Sequence, residues 1–137
     1  MNAIQRTCVA AYAVIVDGEK ILLCRFSAEI EKLAGQRTLS GGGIDFGESP
    51  ASGMSREVLE ETGLVVRAVY VAHVDSFISQ KEGATWHHVR IIYRAKVLTG
   101  ELRHEVQGST DGGKWSHKGG QLPLTDLAAL GWRPAFT

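Results

Sequence analysis

Cysteine is scarce in this chain, long apolar runs are missing and net charge is nil, and each absence narrows what the protein can be. Its two cysteines, Cys8 and Cys24, lie in apolar, strand-like runs with no CxxC spacing and no His-rich partner motif. That argues against a disulfide framework or a thiolate metal site and reads both as buried, reduced thiols. The longest apolar stretch near the N-terminus, residues 8–16, has strand length and no cleavage-site pattern after it. Neither a signal peptide nor a transmembrane helix is therefore expected, and a cytoplasmic location is the expectation that follows. Acidic and basic residues balance at 15 each. With no global field to recruit long nucleic acid or a membrane, an anionic substrate would have to be held by local groups and metal. Internal repeats and low-complexity tracts are absent. A chain of 137 residues is expected to form one domain, residues 1–137, burying about 70% of the surface its unfolded form exposes.

What is present is a dense run of carboxylates framed by glycines. Residues 42–64 read GGIDFGESPASGMSREVLEETGL, with Glu48 ahead of Arg56, Glu57, Glu60 and Glu61, and with Gly42 and Gly63 at the two ends. The spacing predicts a helix over about 50–62: Ser49 suits the N-cap, Pro50 the first helical position, and Gly63 the left-handed residue that ends it. At about 100° per residue, Glu57, Glu60 and Glu61 share one face. Like charges at this spacing weaken a helix by roughly 0.2–0.5 kcal/mol per pair unless a cation joins them. Ala51, Met54 and Val58 form a second, apolar stripe about a quarter turn away. An acidic helix face in solvent is the ordinary explanation of such a run. Acidic oxygens on a short helix behind a glycine-rich turn also suit a site for hard cations and phosphate.

At seven fixed identities and two aliphatic positions, the segment 42–64 resembles the signature of the Nudix hydrolases. The resemblance implies an α/β fold, the Nudix-type α/β/α sandwich with a central mixed sheet. It also implies a metal-dependent hydrolase, using Mg²⁺ or Mn²⁺, that cleaves a phosphoanhydride bond in a small nucleoside diphosphate-linked substrate such as a nucleotide sugar or a nucleoside triphosphate. Carried over residue by residue, it makes Glu57, Glu60 and Glu61 metal ligands, with the Gly42 carbonyl as a further one, and Glu48 and Arg56 supports. The general base is then a glutamate of the box, Glu57 or Glu60, or a loop acid nearer the C-terminus. Glu105 is the candidate there, with Asp111 and Glu82 as competitors. Arg25 matches a position where the family often has a phosphate-contacting arginine, and the competing reading is an exposed edge charge. A Nudix-like nucleotide-binding or regulatory module without turnover is the alternative function, and hydrolysis of oxidised triphosphates shares the same site.

The rest of the chain reads as extended structure around that helix. Residues 7–16 are apolar on both faces, 17–20 form a turn and 21–26 return as a strand, a hairpin. A loop over 27–41 carries a short strand near Thr38 and leads to the glycine triplet. Residues 65–79 and 85–98, rich in Val, Ile, Tyr and Phe, form a second hairpin across a polar loop at 80–84. The span 105–113 reads as a loop, 114–116 as a short strand, and 125–130 as a closing helix capped by Thr125. The order suggests a mixed sheet with helices on both faces. The long strands within 65–98 offer an edge for a homodimer.

His87 and His88 beside Trp86 suggest a ligand pair, but neighbours in a strand face opposite ways, which favours a structural role. Phe77, Trp86 and Tyr93 are candidates for stacking on a nucleobase or for the core. Before the box, many family members have Trp and then Leu-Pro-Gly-Gly, where this chain has Arg37, Leu39, Ser40, Gly41 and Gly42. Arg37 is therefore a second candidate contact for substrate. Around Ser79 and Gln80 there is neither the proline nor the tyrosine that marks family subclasses, so the sequence leaves the substrate open.

Overall fold

The computed structural model describes residues 4–26, 36–102, 110–118 and 124–135. Its centre is β1 (Ile4–Asp17), a strand apolar on both faces and therefore suited to burial between two layers. Ala11, Ala13 and Ile15 point to one side and Val14 to the other. One edge of β1 pairs in parallel with β6 (Ala84–Gly100), from Ile4↔Ala84 to Ile15↔Ala95. Its other edge takes β4 (Ser40–Gly43), antiparallel, from Ala10↔Gly43 to Ala13↔Ser40.

That arrangement changes the expected first hairpin. β2 (Lys20–Phe26) pairs with β1 only at Val16↔Ile21 and Asp17↔Lys20, because β4 occupies the same edge of β1 further back. Beyond the turn β2 pairs instead with β3 (Arg37–Thr38) and β7 (Thr110–His117). The glycine triplet is thus largely a paired strand rather than a turn, and β7 extends the expected short strand toward its N-terminal side.

The second hairpin forms as expected, with β5 (Leu64–Lys81) antiparallel to β6. Its turn is tighter than a five-residue loop: Lys81 pairs with Ala84, and Glu82 and Gly83 both take positive φ, 53° and 77°, as a two-residue type I′ turn requires. Strand order across the sheet is β3-β2-β1-β6-β5.

Two helices cover the two faces. α1 (Pro50–Thr62) buries Met54 and Val58 against Ala11, Ala13, Ile15, Leu22 and Leu64. α2 (Asp126–Ala135) buries Leu127, Ala128 and Ala135 against Val14, Ile21, Leu23, Leu39 and Ile92. Thr125 caps it as expected, its Oγ1 accepting from Ala128 N–H at 3.1 Å. α2 runs past the expected end at Leu130. The result is the expected α/β/α sandwich with a mixed sheet. Neither cysteine is in a disulfide; Cys24 is buried, whereas Cys8, on the outer half of β1, is only half-buried, which corrects the expectation that both are interior. Among the described residues no helix is long and apolar enough to cross a membrane.

Candidate active site

The acidic helix begins and ends where its local chemistry dictates. Ser49 Oγ accepts from Ser52 N–H at 3.2 Å, Pro50 opens the helix, and Gly63, at φ 82°, ends it with its N–H on Leu59 O at 2.9 Å. Within α1, Gly53 permits close approach to the preceding loop. A Cβ there would lie 2.6 Å from Ile44 Cγ2 and 2.8 Å from Glu48 Oε1. The loop closes on itself: Glu48 N–H donates to Asp45 O at 3.0 Å, Gly47 sits at φ 82°, and Asp45 N–H donates to Glu48 Oε1 at 2.9 Å.

Arg56 gathers the carboxylates. Its Nε and Nη2 grip Glu48 at 2.9 and 3.0 Å, a two-pronged contact that suits the planar guanidinium. Nη1 donates to Glu57 Oε1 at 3.0 Å and reaches both oxygens of Glu60 at 3.4 Å, while Nη2 donates to the Gly43 carbonyl at 3.2 Å. Asp45 adds a carboxylate at 3.5 Å. This cation is the partner that four crowded acids require. The hydrogen bonds from Arg56, followed by the Asp45 N–H, pull the Glu48 carboxyl from its ordinary 4.5 to about 2. Arg56 itself is raised, by hydrogen bonds to Glu48 and then to Glu57.

A pH dependence follows. With its folded value below its unfolded one, Glu48 stabilises the fold fully above pH 4.5, and that contribution is lost as pH falls toward 2. Glu48→Gln is expected to lower the thermal midpoint at neutral pH and to flatten its decline between these limits. Melts followed by circular dichroism across that range check this; equal slopes for the two proteins would contradict it.

Glu57 and Glu61 lie against the β4 glycines. Glu61 is buried, and its Oε1 accepts from Ser40 Oγ at 3.0 Å and from Gly41 N–H at 2.8 Å. Next to it, a Cβ at Gly42 would lie 3.0 Å from the Glu57 carboxylate. A Cβ there would push that carboxylate back from the backbone by a few tenths of an ångström. Among the described residues, no three acidic, imidazole or thiol side chains converge at ion-holding spacing. Arg56 draws Glu57 and Glu60 one way, while Ser40 and Gly41 hold Glu61 another.

Behind the glycines, Tyr12 is paired with Gly41 across β1 and β4. Burial lifts its phenol to about 12; Arg90 opposes the rise, and the negative charges of Glu61 and Glu57 add to it. The phenol therefore stays neutral at any working pH, packed on the α2 face of the sheet.

Of the other expected site residues, Arg25 and Arg37 are register partners across β2 and β3, and the Arg37 carbonyl accepts from Thr125 N–H at 2.9 Å. Glu105 lies outside the described residues. His87 and His88 face opposite ways, as expected. His88 stacks on Phe77 at 4.5 Å and bonds Ser79 Oγ at 2.8 Å, while Arg90 covers the other Phe77 face at 4.8 Å. Phe77 and Trp86 thus share one sheet face, whereas Tyr93 packs into the α1 core. The sequence assigned Ser40, Asp45 and Tyr12 no role in the site. Ser40 and Gly41 meet Glu61 from 21 and 20 residues away, a separation no local pattern marks.

A family model described as the NUDIX domain matches residues 6–128. The fold is similar to the crystal structure of a MutT Nudix hydrolase from Burkholderia pseudomallei, with 26% identity and a TM-score of 0.75 over 93% of this chain and 96% of that one. It is also similar to a Nudix hydrolase from Nitrosomonas europaea, with 21% identity and a TM-score of 0.75 over 95% of this chain and 88% of that one. An ADP-ribose pyrophosphatase from Streptococcus suis shares 20% identity and a TM-score of 0.70 over 95% and 92%. These last two speak to fold alone. With the signature segment on a capped helix, the α/β/α sandwich around it and the family model spanning most of its length, the chain belongs to the Nudix hydrolase family.

Proposed function

We propose that this protein hydrolyses a phosphoanhydride bond in a small nucleoside diphosphate-linked compound and needs a divalent cation to do so. The observation that carries the reading is the placement of the Glu57 and Glu61 carboxylates, from one helix, against the Gly41–Gly42 backbone, with Glu60 on the same helix. Family membership supports it, and the names of the MutT and pyrophosphatase relatives suggest the bond class.

The donor set fits Mg²⁺ or Mn²⁺. Glu57, Glu60, Glu61 and the Gly42 carbonyl would supply hard oxygens, and the glycine leaves room that a Cβ would fill. When bound, the ion would neutralise phosphate charge and make a coordinated water more acidic. Arg56 sets the starting positions of Glu57 and Glu60, and Ser40 with Gly41 fixes that of Glu61.

Glu60, 55% exposed and held by Arg56 only at 3.4 Å, is the box acid best able to swing toward an attacking water and take its proton. Glu105 is the second candidate base, and Arg25 and Arg37 are candidate contacts for the substrate phosphates. A hydrolysis screen over nucleotide sugars, dinucleotides, capped ends and triphosphates, run with Mg²⁺ and identifying the bond broken, tests the reading. Metal-dependent binding of a nucleotide with no turnover anywhere in the panel would favour a binding module instead.

The partner proposed besides substrate is a second copy of this chain. Val71, Val74 and Ile78 are exposed along edge strand β5, Ile78 by 68%. Ile78→Lys is expected to shift sedimentation from dimer to monomer at micromolar concentration; an unchanged sedimentation coefficient would remove the proposal.

A further inference from the structure

The two faces of the sheet differ in charge where the helices do not cover them. The α2 face carries Arg6, Asp75, Lys81, Arg90 and Arg94. There Arg90 donates from Nε and Nη2 to both oxygens of Asp75 at 2.8 Å and from Nη1 to Asp126 Oδ2 at 3.3 Å. On the α1 face, the register that puts Ala11 and Tyr93 into the core also fixes the rows beyond it, because side chains alternate along a strand. Ile91 and Val74 stand in one row, Val9, Val89 and Ser76 in the next, and Thr7, His87 and Ile78 in the one after. These rows hold no Asp, Glu, Lys or Arg. Val74 is 55% exposed, and Val9, Val89 and Ile91 are only half-buried.

This apolar face borders the box loop. Ile44 N–H donates to the Val9 carbonyl at 3.0 Å, and from there the chain crosses to α1, whose Ser55 Oγ donates to the Val66 carbonyl at 3.2 Å near the start of β5. Phe46 lies on that crossing and is fully exposed. Asp45 and Glu48 on either side of it are acids that hold Arg56.

Resting on the second-copy and hydrolase readings, we propose that two copies stack these faces about a two-fold axis, Phe46 of each seated on the rim of the other, so that pairing steadies the loop that holds Arg56. Sheets pack face to face about 10 Å apart through such apolar rows. An isologous contact brings like residues together, so a fixed charge on it would meet its own kind; a face without charge suits a second copy of itself. A foreign partner would be selected by complementary charge, which these rows do not offer. Small molecules bind in concave sites, and a pleated face is flat. At ordinary strand spacing the rows span roughly 14 Å by 20 Å, well short of the ~800 Å² per partner of a standard interface. Each Phe46 adds about 150–250 Å², which makes it the anchor of a contact of micromolar strength.

Sedimentation of the full chain and the Mg²⁺ dependence of its turnover test this together. Phe46→Ser, a change at a fully exposed position, is expected to weaken self-association at least about tenfold. At equal chain concentration it should need roughly threefold more Mg²⁺ for half-activity, with kcat at saturating Mg²⁺ within about twofold of the parent. Phe46→Tyr is expected to restore both. In dimers mixed from ¹³C-labelled and unlabelled chains, isotope-filtered NOEs are expected between methyl groups of Val74, Val89 and Ile91 in different copies. Ile78→Lys disrupts pairing through the β5 edge as well as through this face, whereas Phe46→Ser acts on the face alone. Unchanged association in Phe46→Ser, or a dimer without those methyl contacts, would overturn the face assignment. Weakened association with an unaltered Mg²⁺ requirement would overturn the coupling to the box. A dimer with these contacts and no hydrolysis of any compound would leave the interface standing and sink the hydrolase reading; a monomeric parent that hydrolyses would do the reverse.

Discussion

Replacing Glu57 by glutamine is expected to lower kcat for phosphoanhydride hydrolysis by about a hundredfold or more, and to raise the Mg²⁺ concentration needed for half-activity. The thermal midpoint should stay within a few degrees. Glutamine keeps the side-chain volume and a carbonyl oxygen for the 3.0 Å bond from Arg56 Nη1, so the loop and helix have no reason to move. What it loses is the negative charge that lies against the Gly42 backbone. A neutral amide attracts a divalent cation far less strongly than a carboxylate does, and the phosphates would then face the acids with their charge uncompensated. Initial rates across a Mg²⁺ titration, paired with melting curves, check both halves. A variant as active as the parent would remove Glu57 from the ligand set; a variant that melts well below it would make Glu57 a structural group first.

Gly41→Ala is the change expected to cost the most stability, about 3 kcal/mol or more. Gly41 sits at φ 147°, and a Cβ there would lie 2.2 Å from the Ala11 carbonyl oxygen and 2.6 Å from Tyr12 Cα. Both are backbone atoms of the central strand and cannot turn aside as a side chain could. The collision forces β4 off β1, and with it goes the N–H that holds Glu61. Denaturant unfolding is expected to show a lowered midpoint, with activity lost in parallel. Gly43→Ala is the contrast, because a Cβ there meets nothing within 4 Å; if both variants unfolded alike, general loss of glycine flexibility and not this contact would be responsible.

The parts of the fold that were legible in the sequence are those whose causes are local. Ser49, Pro50 and Gly63 sit within one turn of the helix ends they determine, so α1 could be placed to the residue. The acids followed, because spacing along a helix is also direction around it. Strand pairing is set by distant segments, and there the reading fell short. Nothing within residues 7–26 says that β1 will pair with β2 only twice and give the rest of that edge to β4. The glycine triplet read as a turn because glycine permits turns; in the fold it is a strand because Gly41 must lie against Tyr12 with no Cβ between. Arg56 was recognisable as a support through the family resemblance, while its grip on Glu48 depends on a loop that folds back toward the helix. The Arg90 cluster joins β5, β6 and α2, and no motif of neighbouring residues announces it.

The central claim is that the box acids serve metal-dependent cleavage of a phosphoanhydride bond, and phosphorus NMR of reaction products tests it most directly. Each compound of the screen is incubated with the protein in Mg²⁺, in EDTA, and in Mg²⁺ with Glu57→Gln in place of the parent. The account predicts that resonances of linked phosphates in at least one compound give way to those of products cut between phosphorus atoms, in Mg²⁺ only, and at least about a hundredfold more slowly with the variant. Cleavage that proceeds equally in EDTA, or equally with Glu57→Gln, would contradict it.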